Sequence, residues 1–206
     1  MKLYVLLDHL EYEKNIAVAQ KVENNADAFI IGNLPLFRYG IDIVDKLRKV
    51  FPYKIIHVET KIVDRPREIV SLASQNGADW VSVMGIARKE VIHAATSKAH
   101  DLGKKVVLEL MDTQFSGQDA LEAAGLGVDA LLFTCTIPQK DSKDLTESWQ
   151  MIKGNTTLPI FFSGINDRSL LPLIVEMRPA ALILGKVLTE HSDPEQEIQF
   201  FKETLF

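Results

Sequence analysis

Short apolar segments alternate with longer amphipathic stretches along the whole chain. Each short segment holds four or five residues and is almost continuously apolar, which is typical of parallel strands covered on both faces. The longer stretches carry apolar residues at helical spacing, as between residues 41 and 50. The pattern predicts strands at Leu3–Leu7, Ala28–Ile31, Ile55–Val58, Trp80–Met84, Val106–Leu110, Ala130–Thr134, Leu158–Phe162 and Ala181–Leu184.

Strands that alternate with helices form a parallel sheet through right-handed crossovers. Asp27, Asp79 and Asp129 each stand directly before a predicted strand and lie 52 and 50 residues apart, about two strand–helix units. The 206 residues divide into eight units of about 26, so we expect a compact α/β fold, a (β/α)8 TIM barrel, as one domain over residues 1–206. A doubly wound open sheet is the alternative, and it is less favoured because no Gly-x-Gly-x-x-Gly follows the first strand.

Composition and charge exclude several functional classes. The chain is 47% hydrophobic with a net charge of −5, which argues against nonspecific nucleic-acid binding. Its single cysteine, Cys135, has no partner for an internal disulfide or a thiolate metal site. The apolar run Leu3–Leu7 is too short for a signal peptide or a membrane span. We therefore expect a cytoplasmic protein that binds neither nucleic acid nor membranes.

Charged residues stand at the ends of alternate predicted strands. Asp8 follows the first strand, Glu59, Lys61 and Asp64 follow the third, and Glu109 lies on the fifth. Residues two apart in a strand point to the same face, so we expect Glu59 and Lys61 to point into the barrel mouth near Asp8. A lysine between carboxylates stays protonated, and its charge can stabilise a carbanion or an enediolate or deliver a proton to it. The alternative is a solvated salt bridge in a loop.

Glycines follow the last two predicted strands. Gly164 comes after the seventh strand, and Gly185 after the eighth, directly before Lys186. Barrels often bind phosphate at this place through backbone N–H groups, and Lys186 would add a positive charge. The spacing indicates a phosphate site, although two tight turns would also use glycine. By contrast, His57 on the third strand is expected to face the helices.

Together these residues resemble the orotidine 5′-monophosphate decarboxylase suprafamily. Within it, the likeness is greatest to the branch of 3-hexulose-6-phosphate synthase and 3-keto-L-gulonate-6-phosphate decarboxylase. The resemblance extends over nearly the whole chain, and the family's Asp-x-Lys-x-x-Asp motif is its most specific mark. The segments that carry it are Leu6-Leu7-Asp8, residues 32–38 with Gly40, Glu59-x-Lys61-x-x-Asp64, Asn76-Gly77-Ala78-Asp79, Gly164-Ile165 and Leu184-Gly185-Lys186.

The resemblance implies a carbon–carbon lyase that acts on a phosphorylated keto-sugar or sugar acid through an enediolate. It implies Mg²⁺ held by Glu59 and Asp8, and a homodimer in which Asp64 reaches into the neighbouring site. The catalytic residues that it implies are Lys61, Asp64, Asp8 and Glu109. The phosphate-binding residues that it implies are Gly164, Gly185 and Lys186.

Some positions depart from the family's pattern. Ile30 stands where the sugar-phosphate branch has a metal-binding glutamate, and Phe133 stands where that branch has a proton-handling histidine. Glu59 replaces an aspartate, and Lys186 replaces an arginine that grips phosphate. Two alternatives therefore stay open: a sugar-phosphate-binding homologue without activity, and metal-free decarboxylation of orotidine 5′-monophosphate.

Overall fold

The computed structural model describes residues 1–110, 117–135, 142–165 and 168–205. Its strands are parallel and form one closed barrel in chain order, so the prediction of a (β/α)8 barrel is confirmed. The strands are β1 (Lys2–Leu7), β2 (Ala28–Ile31), β3 (Ile55–Ile62), β4 (Trp80–Met84), β5 (Lys105–Leu110), β6 (Ala130–Thr134), β7 (Ile160–Ser163) and β8 (Ala181–Leu184).

Helices surround the barrel and connect successive strands. Their amphipathic pattern places apolar residues against the strands, as in Ile43, Val44 and Leu47 of one helix. A 3-10 helix, Arg168–Leu170, follows β7. The α-helices in the described parts of the chain are α1 (Tyr12–Val22), α2 (Asn33–Tyr39), α3 (Asp42–Val50), α4 (Pro66–Gln75), α5 (Lys89–Asp101), α6 (Gly117–Gly125), α7 (Ser142–Gly154), α8 (Leu171–Met177), α9 (Lys186–Thr189) and α10 (Pro194–Leu205).

The apolar core has two layers because successive strand residues point to opposite faces. One layer lies between the strands and the helices, and it contains the larger cluster of buried side chains. The other fills the barrel interior, as in TIM barrels generally. The buried members of this inner cluster are Tyr4, Ala28, Ile30, Val107, Ala130, Leu132, Phe161, Ala181 and Ile183.

His57 faces the barrel interior, so the expectation that it faces the helices is wrong. It lies opposite Ile30 of β2, a member of the inner cluster. It also has the same parity on β3 as Glu59 and Lys61, and residues two apart share a face. Its side chain is buried, and neither ring nitrogen has a hydrogen-bond partner in the described part of the chain.

Four strands differ from their predicted bounds: β1 and β5 each begin one residue earlier than predicted, and β3 and β7 differ more. β3 continues beyond Val58 to Ile62, and its register against β4 shifts between these residues. Lys61 lies within the irregular segment with a left-handed φ of 45°. Glu59 and Lys61 therefore approach each other through an irregular backbone, whereas the prediction assumed a regular strand. β7 begins at Ile160 rather than Leu158, because Leu158 N–H donates to the nearby Thr156 hydroxyl in a local turn.

The repeated aspartates close the N-terminal end of the barrel. Asp27 accepts a hydrogen bond from Leu3 N–H at 2.8 Å, and Asp79 accepts one from Ile56 N–H at 3.0 Å. Asp129 binds Val106 N–H in the same way at 2.8 Å. Each carboxylate thus satisfies a free N–H at the start of the preceding odd-numbered strand, which would otherwise lack a partner. The spacing seen in the sequence therefore marks a repeated structural contact.

Candidate active site

Lys61 forms the centre of a charged cluster at the carboxyl ends of the strands. Its Nζ donates a hydrogen bond to Glu109 Oε2 at 2.6 Å and lies 3.9 Å from Glu59 Oε2. The Glu109 side chain is only 1% exposed, while that of Lys61 is 27% exposed. A buried carboxylate needs such a partner, because desolvating an unpaired charge is costly. The ammonium group is thus held by one buried and one partly buried carboxylate.

The cluster raises the pKa of both Glu59 and Lys61. Burial, reinforced by the negative charges of Glu109 and Asp8, raises the pKa of Glu59 to about 7, although Lys61 opposes the shift. Burial alone disfavours the Lys61 ammonium, but attraction from Glu59 and Glu109 outweighs it and raises the pKa of Lys61. Lys61 is therefore a fixed positive charge at neutral pH, and Glu59 titrates near neutrality.

A hydroxyl pair on β3 and β4 holds the irregular backbone of Lys61. Lys61 N–H donates to Ser82 Oγ at 3.0 Å, and Thr60 Oγ1 donates to the Ser82 carbonyl at 2.8 Å. Ser82 N–H in turn donates to Thr60 Oγ1 at 3.0 Å. This pair was not predicted from the sequence. The available signal was Ser82 itself, a polar residue inside the apolar strand Trp80–Met84.

Asp8 lies beside the cluster, at the end of β1. Leu34 N–H donates to its Oδ1 at 3.0 Å. Burial raises the pKa of Asp8, while the Leu34 hydrogen bond and the positive charges of Lys186, His9 and Lys61 act against the shift. A side chain at Gly32 would have its Cβ 2.2 Å from Asp8 Oδ1. Glycine is therefore required at position 32 to leave room for the carboxylate.

A cavity of about 190 Å³ opens next to Asp8 and contains the predicted phosphate residues. Gly164 has a left-handed φ of 101°, and a Cβ there would lie 2.2 Å from the Cys135 carbonyl oxygen. Gly185 has more space, since its Cβ would meet nothing closer than a Leu6 methyl group at 3.7 Å. The residues lining the cavity are Leu6, Asp8, His9, Ser163, Gly164, Ile165, Gly185, Lys186, Thr189 and Glu190.

The cavity also contains residues that the sequence pattern did not indicate. His9 lines the wall, and its Nε2 lies 3.2 Å from the Thr189 carbonyl oxygen. Lys186 is largely exposed, with its Nζ 3.9 Å from Glu190 Oε1. The cavity thus combines the backbone of two glycine-containing strand ends with an exposed cation, which suits an anionic group.

Asp64 and two of the four departures from the family pattern, Ile30 and Phe133, occupy different environments. Asp64 is exposed in the loop between β3 and α4, outside the Lys61 cluster. Ile30 is fully buried inside the barrel, opposite His57. Phe133 packs towards the helices, with its ring 6.1 Å from that of Trp149. Placing a proton-handling position at Phe133 is therefore wrong, because strand alternation directs Thr134 to the interior at that level.

The described ranges contain neither a preformed metal centre nor a candidate membrane span. Across residues 1–110, 117–135, 142–165 and 168–205, no group of three or more His, Cys, Asp or Glu side chains is arranged to hold a metal ion. Among the helices of these same ranges, none has the length and apolarity needed to cross a membrane.

Comparison with known proteins identifies relatives of the same fold. A sequence model of the orotidine 5′-phosphate decarboxylase / HUMPS family matches residues 1–136. The 3-hexulose-6-phosphate synthase of Bacillus subtilis is 24% identical, and the alignment covers 100% of this chain and 99% of that protein. The 3-hexulose-6-phosphate synthase of Staphylococcus epidermidis is 28% identical, with 94% and 93% covered.

A crystal structure of KGPDC from Streptococcus mutans is similar over the whole barrel. It superposes with a TM-score of 0.90 at 23% identity, covering 99% of this chain and 96% of that chain. At this level of identity the superposition establishes a shared fold. It leaves the chemistry to be argued from the side chains at the barrel mouth.

Proposed function

The chain belongs to the orotidine 5′-phosphate decarboxylase / HUMPS family, and on this premise we propose that it is a carbon–carbon lyase for phosphorylated keto-sugars or sugar acids. The observation that carries the proposal is the Lys61 ammonium, held 2.6 Å from a buried Glu109 oxygen beside the glycine-lined cavity. Relatives named 3-hexulose-6-phosphate synthase, aligned over 94% or more of the chain, support the same reaction class.

The two reactions in the family's sugar-phosphate branch share one intermediate. A hexulose phosphate with its ketone at C3 can lose C1 as formaldehyde, and a 3-keto sugar acid can lose C1 as CO₂. In both cases the C1–C2 bond breaks and its electron pair passes into the C3 carbonyl, which gives an enediolate. Release of formaldehyde also removes the proton of the C1 hydroxyl, and in both reactions a proton then adds to C2 of the enediolate to give the pentulose phosphate. The Lys61 ammonium would stabilise that negative charge, since a fixed charge in a partly dry site acts strongly on developing charge.

The cavity wall opposite the charged cluster would hold the phosphate. Backbone at Gly164 and Gly185 borders the cavity, and Lys186 supplies a flexible cation. Asp8 connects this wall to the Lys61 cluster, since it lines the cavity and the charges of Lys186 and Lys61 both act to lower its pKa. A sugar phosphate would therefore span from the glycines to Lys61, with its carbonyl carbons beside the ammonium group.

Mg²⁺ is compatible with the chemistry of this cluster. Mg²⁺ usually takes one or two protein carboxylates and keeps several waters, so the absence of a glutamate at Ile30 does not prevent binding. Burial raises the pKa of both Asp8 and Glu59, and Glu109 Oε1 is buried without a partner among the described residues. Asp8 and Glu59 would hold the ion. When bound, it would neutralise part of the charge on the enediolate oxygens.

Titration calorimetry with Mg²⁺ tests the metal proposal separately from turnover. We expect the wild-type protein to bind Mg²⁺ and Glu59→Gln to bind it about tenfold more weakly or worse, because the amide carries no negative charge. Arg48→Gln, which changes a contact at the opposite end of the barrel, should leave the affinity unchanged. Equal affinities for the wild-type and Glu59→Gln proteins would remove Glu59 from the metal site.

A homodimer would cover the exposed apolar side chains near Asp64. Leu34, Phe37, Val63 and Ile86 are 47%, 87%, 55% and 69% exposed, and all follow strands β2 to β4 at the carboxyl end of the barrel. Clustered exposed apolar residues are typical of a protein–protein interface. In the dimer, Asp64 would enter the neighbouring site. Sedimentation should show a dimer, and Phe37→Glu should dissociate it.

Turnover assays with Lys61→Ala test the lyase proposal. Wild-type protein should release formaldehyde from a 3-hexulose 6-phosphate or CO₂ from a 3-keto-sugar-acid 6-phosphate, with Mg²⁺ present. Lys61→Ala should lower kcat by about 10² to 10³ or more, by analogy with the loss of an oxyanion donor, while circular dichroism shows a retained fold. A wild-type protein without turnover, or a fully active Lys61→Ala variant, would overturn the proposal.

A binding protein without activity is the second candidate, and Ile30 is the observation that favours it. The buried isoleucine makes the barrel interior drier where the family's sugar-phosphate branch has a glutamate. The intact Lys61–Glu109 pair favours the lyase instead. A thermal shift with sugar phosphates, without any product, would support the second candidate. Release of CO₂ from orotidine 5′-monophosphate without metal would support the other alternative, metal-free decarboxylation of that nucleotide.

A further inference from the structure

Glu197 is a buried carboxylate that lies outside the Lys61 cluster. It stands in the first turn of α10, and its side chain is only 2% exposed. A carboxylate at this depth has a large desolvation cost unless charged groups pair with it. Its partners therefore indicate why the chain keeps a charge at this position.

Two basic side chains from different chain segments meet at Glu197. Arg168 Nε donates to Glu197 Oε1 at 3.2 Å, and its terminal NH2 group pairs with Oε2. His191 Nε2 lies 3.6 Å from Oε2. The Arg168 guanidinium also stacks on the Phe200 ring of the same helix, 3.7 Å from its centre. The Glu197 carboxylate thus holds the edge of the guanidinium, and the Phe200 ring packs against one of its faces.

Arg168 and His191 belong to the segments that leave the two sides of the candidate phosphate site. Arg168 lies three residues after Ile165, which lines the cavity after β7. His191 directly follows Thr189 and Glu190, which line the cavity after β8. Glu197 therefore joins Arg168, four residues after Gly164, to His191, six residues after Gly185.

We propose that Glu197 is a positioning residue for phosphate binding: through Arg168 and His191 it fixes the spacing between the backbone at Gly164 and the backbone at Gly185. The inference rests on the phosphate site within the proposed function. Backbone donors on two separate segments bind one phosphate well only when their spacing is held before the ligand arrives. Glu197 needs no contact with the ligand for this role.

Phosphate affinity and a split between KM and kcat distinguish positioning from general stability. The probes are inorganic phosphate, measured by calorimetry, and the phosphorylated substrate, measured by turnover. Glu197→Gln should weaken inorganic phosphate binding and raise KM, each by about tenfold, with kcat within about twofold of the wild-type value. Glu122→Gln, which removes the surface pair of Glu122 with Lys89 between α6 and α5, is the matched control.

Partner variants keep the test informative if Glu197→Gln folds poorly. Arg168→Gln and His191→Gln change partly exposed partners, and each should weaken phosphate binding. The double variant Arg168→Gln/Glu197→Gln should lose no more affinity than the worse single variant, because both remove one contact. Melting temperatures measured alongside confirm that each variant is folded at the assay temperature.

Unchanged phosphate affinity in folded Glu197→Gln or Arg168→Gln would overturn the positioning role. A fall in kcat at constant KM would also overturn it, as would a wild-type protein that binds no phosphate. Failure of the lyase proposal gives a different result, in which the wild-type protein binds inorganic phosphate but converts no sugar phosphate. In that case the phosphate affinities of the variants alone decide the role of Glu197.

Discussion

The two ends of the barrel use carboxylates in opposite ways. At the N-terminal end, each of Asp27, Asp79 and Asp129 accepts a backbone N–H from a strand. At the carboxyl end, Asp8, Glu59 and Glu109 crowd around one lysine, and Glu109 Oε1 has no partner in the described residues.

The carboxylates at the two ends of the barrel have different effects, one on stability and the other on function. Carboxylates that receive hydrogen bonds from fixed N–H groups lower the free energy of the folded state. Carboxylates held close together resist ionisation and destabilise each other, and such arrangements persist at sites where a ligand or a reaction uses them. The N-terminal end should therefore respond to substitution through stability, and the carboxyl end through binding and turnover.

Asp79→Ala should give the largest loss of stability, about 3 kcal/mol. The carboxylate binds Ile56 N–H, lies 2.5 Å from an Arg48 nitrogen and lies 3.3 Å from Lys104 Nζ, so its removal leaves three donors without a charged partner. Urea unfolding measures the change, and kcat of the folded variant should match that of the wild type. A large change in kcat at unchanged stability would contradict the assignment of the N-terminal carboxylates to stability.

Glu59→Gln should change the pH dependence of stability. The folded-state pKa of about 7 lies above the ordinary value of 4.5, so the folded protein binds more protons than the unfolded chain between these pH values. Stability contributed by the protonated group is present below about pH 4.5 and is lost as pH rises to 7. The loss should be about 2 kcal/mol, allowing for solvent near the partly exposed side chain.

Urea unfolding at several pH values between 4.5 and 7 measures this effect. In Glu59→Gln, the decline attributed to Glu59 should disappear and stability at about pH 7 should exceed that of the wild type. Asp45→Asn, at an exposed surface pair with Lys49, serves as the control and should keep the wild-type decline. A Glu59→Gln profile parallel to that of the wild type would show that Glu59 ionises normally.

Gly185→Ala should weaken phosphate binding without destabilising the fold. The new Cβ would meet the protein no closer than 3.7 Å, so stability should change by less than about 0.5 kcal/mol. It would enter the space proposed for the phosphate and weaken binding of inorganic phosphate by about tenfold. Gly164→Ala is the contrasting variant, since its new Cβ would meet the Cys135 carbonyl at a residue with a left-handed φ, and it should lower the free energy of unfolding by about 2 kcal/mol.

The strand pattern predicted the fold because continuous apolar runs are a direct consequence of burial on both faces. It also predicted that Glu59 and Lys61 would point into the barrel mouth. The irregular backbone at Lys61, with its φ of 45°, was not predicted, because it depends on contacts between Thr60 and Ser82, which are 22 residues apart in sequence. The match of Phe133 to the family's histidine was wrong because strand alternation turns Phe133 towards the helices and Thr134 towards the barrel interior.

Contacts between distant segments could not be predicted from the sequence. Glu197 stands in an amphipathic helix where a glutamate ordinarily faces solvent, and nothing local indicates that Arg168, 29 residues earlier, will bury it. The Asp27, Asp79 and Asp129 spacing was visible, but its meaning required the register between neighbouring strands. The local sequence pattern therefore identified the strands, the helices and the strand ends, whereas the charged pairs could be recognised only in the assembled barrel.

His57→Leu should raise stability by about 1 kcal/mol at about pH 7, the smallest of these effects. The imidazole is buried with both ring nitrogens unpaired in the described structure, and replacing an unsatisfied polar group by an apolar one removes its desolvation cost. Burial and the Lys61 charge lower its pKa to about 3 from 6.5. As pH falls, His57 therefore takes up its proton at a higher pH in the unfolded chain than in the folded protein, and wild-type stability falls as pH drops below 6.5.

The gain in His57→Leu should consequently grow as pH falls from 6.5 towards 4.5. As pH falls over this range, His57 lowers the stability of the wild-type protein and Glu59 raises it, so the two contributions partly cancel. Urea unfolding of His57→Leu, Glu59→Gln and the double variant separates them, and the double variant should have the flattest profile. If His57→Leu were less stable than the wild type at every pH, the ring nitrogens would have to be hydrogen-bonded inside the barrel, and the interior beneath Lys61 would be polar rather than dry.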